Sequence, residues 1–194
     1  MGEPVLERPE TAGGIGSRHL VAVVVCALIY GALVYISRFS PQIFGIQTIY
    51  PPAAVSGAFG VWFGFWGALG NALGNLVSAV VIGRNPIPWL VAYFAQFVMA
   101  AVPGIMYRKP GIDSRADLAR FLVWNILGLL LGTILVTLQI IWNGTAPASA
   151  AWTAVWPYMV ISNVLTGGIL GPIVLKYLSP YIVKSGLAFR RFMG

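Results

Sequence analysis

Long apolar stretches separated by short polar segments run along most of this chain. The apolar stretches fall at about 19–37, 51–83, 89–107, 121–142 and 157–177. Each is close to or longer than the roughly 20 residues that a helix needs to cross a bilayer. Because a helix satisfies its own backbone hydrogen bonds in lipid, this pattern predicts an all-α integral membrane protein.

The second apolar stretch is too long for one crossing and is rich in glycine and alanine. Its segment 63–67, with the sequence FGFWG, is typical of a glycine-flanked turn with aromatic residues at the membrane interface. We therefore predict two spans here, at about 51–65 and 67–83, and six transmembrane helices in total. Asn71 and Asn75 are four residues apart, so they should share a face that points into the bundle.

Small residues are concentrated in predicted helices one to three, where they allow helix backbones to approach closely. The first helix contains Ala27 and Gly31, and the third contains Gly67, Gly70 and Gly74. These faces serve either ordinary helix packing or the docking of another subunit, and the pattern leaves both interpretations open.

Cations are concentrated in three segments that the six-helix prediction places on one side of the membrane. These segments lie before the first helix, at 108–120 and from 176 onward. Since cytoplasmic segments of membrane proteins carry an excess of Lys and Arg, both termini are predicted to be cytoplasmic. The segments 38–50, 84–88 and 143–156 then face outward.

The amino-acid composition mainly rules out other classes of protein. The chain has 194 residues, of which 58% are hydrophobic and only 9% are charged, unlike a soluble domain of this size. The net charge of +7 should mark the cytoplasmic face rather than a nucleic-acid partner. We predict a disordered tail at 1–17 without signal-peptide character, a six-helix transmembrane domain at 18–185 and a basic C-terminal tail at 186–194.

Residues suited to catalysis, ion coupling or metal binding are scarce. The five carboxylates all lie outside the predicted spans, in the N-terminal tail and the 108–120 loop, so ion coupling through a buried acid is not expected. Cys26 and His19 are the only residues of their types, and the chain has no phosphate-loop motif. We therefore predict no catalytic role, no metal site and no cofactor in this chain.

Aromatic residues and neutral amides near the predicted outer face remain as candidates for binding a small molecule. A Trp at this level is more often part of the interfacial belt, whereas Asn163 and Gln96 lie inside spans and need a helix partner or a ligand. Arg38 and Arg84 are expected to snorkel to the interface, with a role in holding an anion as the lesser alternative. The candidate substrate-binding residues are Gln47, Tyr50, Asn85, Trp89, Tyr93, Gln96, Gln139, Asn143, Trp152, Tyr158 and Asn163.

These features resemble the substrate-binding S components of energy-coupling factor (ECF) vitamin importers, which are small six-helix membrane proteins. The resemblance lies in the first span, AVVVCALIYGAL, in the run FGVWFGFWGALGNALGNL that begins at Phe59, and in the basic loop before the fifth helix. The chain departs from the family pattern at Gly31, where a second alanine is usual, and at Asn75, where an acid is frequent.

The resemblance implies a multi-pass subunit of an ABC-type importer in a prokaryotic plasma membrane. Such a subunit captures a vitamin or related small heterocycle from outside, in a pocket formed by the first outer loop and the outer ends of helices four to six. It then docks through the small faces of helices one to three on a transmembrane coupling subunit, and two partner ATPases power transport. The expected partners are therefore this ligand, the coupling module and the lipid bilayer, with no nucleic acid.

Two other functions fit the same residues. A non-transport membrane anchor or sensor subunit of a larger complex would share the small-residue faces but would need no outer pocket. A small channel or facilitator would need a pore and would work without ATPase partners.

Overall fold

The computed structural model describes residues 16–43, 46–47, 49–189 and 192–193, and these residues are almost entirely helical. Their elements, in chain order, are α1 (Ser17–Ser37), β1 (Gln42–Ile43), β2 (Ile46–Gln47), α2 (Pro52–Val81), a 3₁₀ turn (Ile87–Trp89), α3 (Leu90–Met106), α4 (Arg115–Trp142), α5 (Ala148–Ala150), a π-helical turn (Ala151–Val155) and α6 (Trp156–Lys184).

Five helical stretches in the described part of the chain are long and apolar enough to cross a membrane, which confirms an all-α protein with membrane-spanning helices. The last of these stretches, Ala148–Lys184, combines α5, the π-helical turn and α6. The predicted count of six is not reproduced as six separate elements, because the two spans predicted at 51–65 and 67–83 form the single element α2.

The position of the predicted break in α2 is correct. Gly64 has a φ of +55° and a ψ of −131°, which are not helical values. Asn71 Nδ2 donates to Ser56 Oγ at 3.0 Å, although residues 15 apart in a straight helix would be separated by about 22 Å. The chain therefore folds back at Gly64, and α2 consists of two antiparallel arms, arm 1 (52–63) and arm 2 (65–81).

Three helix boundaries differ from the prediction, and one of them is the end of α6, which continues to Lys184 rather than stopping at 177. Helix α4 begins at Arg115 rather than at 121, because Ser114 and Asp117 form a capping box, with Ser114 Oγ accepting from Asp117 N at 3.1 Å. The segment 143–156 is helical from Ala148 onward rather than a loop, since its alanines favour helix and a π-helical turn joins it to α6.

Close glycine contacts hold α1 against arm 2. A Cβ placed on Gly74 would lie 2.5 Å from the Ala27 carbonyl, and one placed on Gly31 would lie 2.9 Å from the Gly74 carbonyl. A Cβ on Gly70 would lie 2.5 Å from that of Cys26, so the two backbones approach as closely as glycine allows.

The small residues thus serve packing within the chain. Gly67, Gly70 and Gly74 are buried, and Ala27 and Gly31 are half-buried against arm 2. These contacts account for the small residues within the chain, and the docking of another subunit through the same five residues stays a prediction.

The helices run between two ends of the molecule, which we call the cavity end and the basic end. The cavity end carries the described residues of 38–43, 46–47 and 49–51 and the segments 82–89 and 143–147. Asn143 Nδ2 joins two of these segments by donating to the Pro88 carbonyl at 2.8 Å. The basic end carries the start of α1, the Gly64 turn, the segment 107–114 and the described residues 185–189 and 192–193.

The basic end is closed around Trp62, which is 1% exposed. Its Nε1 donates to Ser179 Oγ at 2.8 Å and to the Pro110 carbonyl at 3.1 Å. Phe121 and Leu175 are fully buried in the same cluster. This cluster is therefore closely packed, and a smaller cavity of about 310 Å³ lies beside it, next to Gly64 and Tyr107.

Residues near the C-terminus complete the Gly64 turn. Phe189 N donates to the Trp62 carbonyl at 2.8 Å, and Phe65 N donates to the Phe192 carbonyl at 2.6 Å. These bonds satisfy two backbone groups that the break in α2 would leave unpaired. Within the predicted tails, residues 1–15, Arg190, Arg191 and Gly194 lie outside the described residues.

Candidate binding cavity

A cavity of about 590 Å³ opens among the helices at the cavity end. Its wall is formed mainly by neutral polar, aromatic and aliphatic side chains, with Arg84 as its one cation among the described residues. The lining residues are Val34, Ser37, Gln47, Tyr50, Asn75, Ala79, Arg84, Trp89, Ala92, Tyr93, Gln96, Met99, Thr133, Val136, Ile140, Thr145, Ala146, Ala150, Ala154, Val155, Met159, Ser162 and Asn163.

The cavity exists because arm 1 is short. Arm 1 spans about 18 Å, against about 30 Å for the hydrocarbon core of a bilayer, and it fills only the half of the bundle near the basic end. Its first turn packs Ala53 against Met99 and Leu129, with Tyr50 beside them. These residues lie at the inner limit of the cavity, and the space beyond arm 1 is left without a helix.

Tyr30 joins three parts of the chain beneath the cavity. It is fully buried, and its hydroxyl donates to Gln96 Oε1 at 2.5 Å. The same hydroxyl lies 3.5 Å from the Tyr50 hydroxyl. Burial raises the pKa of Tyr50 to about 12, so the phenol stays neutral at physiological pH.

On the α6 side, Asn163 is oriented by its own helix. Asn163 Nδ2 donates to the Met159 carbonyl at 2.9 Å, and this carbonyl can only accept. The amide oxygen is therefore the free end, and Asn163 Oδ1 is buried without a hydrogen-bond partner among the described residues. The neighbouring Ser162 Oγ donates to the Gln47 carbonyl at 3.3 Å, which ties the first outer loop to α6.

On the α3 side, aromatic residues form the wall. Tyr93 is 7% exposed, and its hydroxyl has no hydrogen-bond partner within the described segments. Nearer the surface, the Arg84 guanidinium lies 5.4 Å from the centre of the Trp89 ring, within the range of a cation–π contact. This side of the cavity thus combines a flat aromatic surface, a free hydroxyl and a positive charge.

The structure brings together six of the eleven candidate residues from the sequence, and their placement in the wall does not by itself test a binding role. These six are Gln47, Tyr50, Trp89, Tyr93, Gln96 and Asn163. They come from the first outer loop, α3 with its preceding turn, and α6, which agrees with the region of the pocket that the resemblance implies.

Gln139 and Asn143 do not line the cavity, because they hold the end of α4 against the start of α3. Gln139 Oε1 accepts from Val91 N at 2.9 Å, and Gln139 Nε2 donates to Asn143 Oδ1 at 3.0 Å. With the bond from Asn143 to Pro88, these contacts use the polar atoms of both amides. We call this arrangement the α3–α4 clasp.

The other three candidates also lie away from the cavity. Asn85 Oδ1 accepts from Ile87 N at 3.1 Å and stabilises the turn before α3. Trp152 packs edge-on against Trp156 at 5.7 Å between ring centres. Tyr158 precedes the lining residue Met159 on the helix and therefore projects about 100° away from it.

Several lining residues were not among the candidates. Thr133, Val136 and Ile140 follow one another at helical spacing on α4, and that spacing was the signal that could have identified them. Asn75 lines the cavity, whereas Asn71 is buried against Ser56 in the helical hairpin. Arg84 lines it as well, although snorkelling was the favoured expectation for this residue.

Acidic residues are absent from the described wall of the cavity. The described residues also contain no group of three or more His, Cys, Asp or Glu side chains placed to hold a metal ion. Comparisons with protein-family models, with curated proteins and with solved structures find no match to this chain. Function is therefore argued from the cavity itself.

Proposed function

We propose that this chain is the substrate-binding subunit of an ECF-type importer and that it captures a vitamin or a related small heterocycle from outside the cell. The observation that carries the proposal is the cavity of about 590 Å³ at the end of the bundle away from most cations. This volume is within the range of sites for small molecules and cofactors. The aromatic residues and neutral amides of its wall suit a flat, polar ring.

The distribution of charge supports an outward-facing cavity. The cavity end has Arg38 and Arg84 among its described residues, whereas the basic end has Arg18, Arg108, Lys109, Arg115, Arg120 and Lys184. An excess of cations on one side favours the cytoplasm for that side. With the two arms of α2 counted separately, the proposal has six passes and both termini in the cytoplasm of a prokaryotic cell.

Packing below the cavity favours binding over free passage. The layer between the cavity and the basic end contains large side chains that are each 2% exposed or less. These are Tyr30, Met99, Leu129 and Phe121. A solute would have to displace these side chains to cross, and dense packing resists such a change. We therefore propose that transport depends on a transmembrane coupling subunit and two partner ATPases rather than on a pore through this chain.

The test begins with the chain purified alone in mild detergent and examined by native mass spectrometry for a bound small molecule. Ala154 lines the cavity, so Ala154→Trp should fill it and abolish the bound mass. Ala32→Trp is the matched control, because Ala32 is exposed on α1 and does not line the cavity. Equal occupancy in both variants, or no bound molecule in the unaltered chain, would contradict the proposal.

A second measurement separates a binding subunit from a facilitator. The chain alone is reconstituted in liposomes and exposed to the molecule identified by mass spectrometry. We expect saturable binding at a ratio no greater than one ligand per chain and no sustained uptake. Uptake that continues down the gradient in the absence of ATPases would favour the facilitator instead.

A further inference from the structure

The polar atoms that the cavity leaves free define what a ligand must offer. Asn163 Oδ1 is an acceptor on a residue that is 7% exposed, and it has no partner among the described residues. A buried acceptor without a partner costs about 1–3 kcal/mol. A ligand that places an N–H or O–H group against this oxygen would remove that cost on binding.

The opposite requirement arises on α3. Gln96 Oε1 already accepts from Tyr30, so the amide hydrogens on Nε2 are what Gln96 can offer a ligand in the cavity. The free Tyr93 hydroxyl can donate as well. A ligand that satisfies both walls must therefore donate on one side and accept on the other, as a ring with an N–H next to a C=O does.

Arg84 adds a charge requirement. Its guanidinium lines the cavity and lies over Trp89, and the described wall of the cavity contains no acid. The salt bridges found within the described residues join Lys109 to Asp113 and Asp117, at the basic end. Arg84 is exposed at the mouth of the cavity, so its charge is accessible to an anion that enters from outside.

We propose, resting on the function proposed above, that the ligand is a small carboxylate whose neutral head is a cyclic amide or urea. The head lies between Gln96 and Asn163, and the carboxylate pairs with Arg84 at the mouth of the cavity. This assignment makes Arg84 and Asn163 the two residues that determine specificity. Arg38 at the same end lies 5.8 Å from the Tyr35 ring and does not line the cavity, so it serves as the matched cation.

The test uses a set of four probes built on a uracil ring joined through N1 to a six-carbon chain. The chain ends in a carboxylate, a methyl ester or an amine, and the fourth probe is the carboxylate with a methyl group on N3. Affinities are measured by isothermal titration calorimetry with the full chain in lipid nanodiscs. We expect the carboxylate to bind about tenfold or more tightly than the ester, the amine or the N3-methyl probe.

Two variants assign these differences to residues. Arg84→Gln should reduce the ratio of carboxylate to ester affinity to about one, whereas Arg38→Gln should leave it unchanged. Asn163→Leu should remove the preference for N3–H over N3-methyl and should keep the preference for the carboxylate. Asn163→Ala replaces Asn163→Leu if the leucine variant does not yield folded protein.

The outcomes separate this ligand class from the proposed function. Equal binding of ester and carboxylate, or a ratio that survives Arg84→Gln, would overturn the anionic part. Failure of all four probes to bind at about 1 mM, the affinity of a very weak complex, would overturn the ligand class. In either case a small molecule that co-purifies with the chain and is lost in Ala154→Trp would still support a binding subunit.

Discussion

The two ends of the bundle differ in how the polar atoms of their large side chains are hydrogen-bonded. At the basic end, the Trp62 indole donates to Ser179 and Pro110, and the Tyr107 hydroxyl donates to the Gly111 carbonyl at 2.6 Å. At the cavity end, the Tyr93 hydroxyl and Asn163 Oδ1 are buried without partners among the described residues. Trp62 and Tyr107 thus find partners within the chain, whereas the Tyr93 hydroxyl and Asn163 Oδ1 do not. Asn71 Oδ1 and Asn125 Oδ1, which lie deeper in the bundle and away from the cavity wall, are also buried without partners among the described residues.

This contrast separates stability from binding along the length of the helices. Changes at the basic end should destabilise the fold, because they remove contacts that the chain makes with itself. Equivalent changes at the cavity end should alter the ligand-free fold much less, because the affected groups have no hydrogen-bond partner within the described chain. Paired substitutions of the same type at the two ends can test this separation directly.

The largest difference is expected between two glycines with positive φ. A Cβ on Gly64 would collide with the Phe192 carbonyl, whereas a Cβ on Gly83, with a φ of +72°, would meet nothing within 4 Å. Gly64→Ala should destabilise the fold by about 3 kcal/mol or more, and Gly83→Ala by about 1 kcal/mol. The apparent melting temperature and the monodisperse fraction in detergent measure both, and equal losses would show that the basic end is not the more tightly packed one.

An intermediate difference is expected between two tryptophans. Trp62→Phe removes a donor to Ser179 and Pro110 from a fully buried site and should cost about 2 kcal/mol. Trp89→Phe changes a half-buried ring at the cavity and should cost about 1 kcal/mol or less. Thermal unfolding of the two variants side by side in the same detergent provides the measurement. A larger loss for Trp89→Phe would reverse the comparison.

The smallest difference is expected between two tyrosines. Tyr107→Phe leaves the Gly111 carbonyl without its donor and should cost about 1 kcal/mol. Tyr93→Phe removes a hydroxyl without a partner in the described chain, so the ligand-free fold should keep its stability or gain slightly. Melting temperatures measured without ligand distinguish the two, and a clear loss for Tyr93→Phe would mean that the chain itself uses this hydroxyl.

The Tyr107 contribution should also depend on pH. Burial, with smaller effects from Asp117 and Asp113, raises the pKa of Tyr107 to about 12 from a usual value of 10.0. The folded state therefore favours the protonated phenol, and this contribution is complete below pH 10 and is lost as the pH rises toward 12. The stability gap between the unaltered chain and Tyr107→Phe should narrow over this range.

Local signals in the sequence predicted local features well. The FGFWG segment located the break at Gly64, because glycine and flanking aromatic residues mark such turns in any context. The Ser114 and Asp117 pair has the spacing of a capping box, which is a local signal of the kind that a sequence shows, and α4 begins there. Gln96 and Asn163 were singled out because amides inside an apolar span need partners, and both line the cavity.

Features that depend on contacts between distant segments could not be predicted in the same way. Gln139 and Asn143 carry the same amide groups as Gln96, yet their atoms are used in the α3–α4 clasp. The internal use of Gly70 and Gly74 depends on which helix lies opposite them, and a glycine pattern does not specify its partner. The capping of the Gly64 turn by Phe189 and Phe192 is of the same kind, since no local pattern links these regions.

That capping has a consequence for the order of assembly. Ribosomes make the helical hairpin of α2 long before they make Phe189 and Phe192, whose backbones bond to Phe65 and Trp62. Until these later residues are made, the backbone amide of Phe65 and the backbone carbonyl of Trp62 lack these partners at the bend of the hairpin. The synthesis of Phe189 and Phe192 is thus the step that completes the hydrogen bonding of the α2 hairpin.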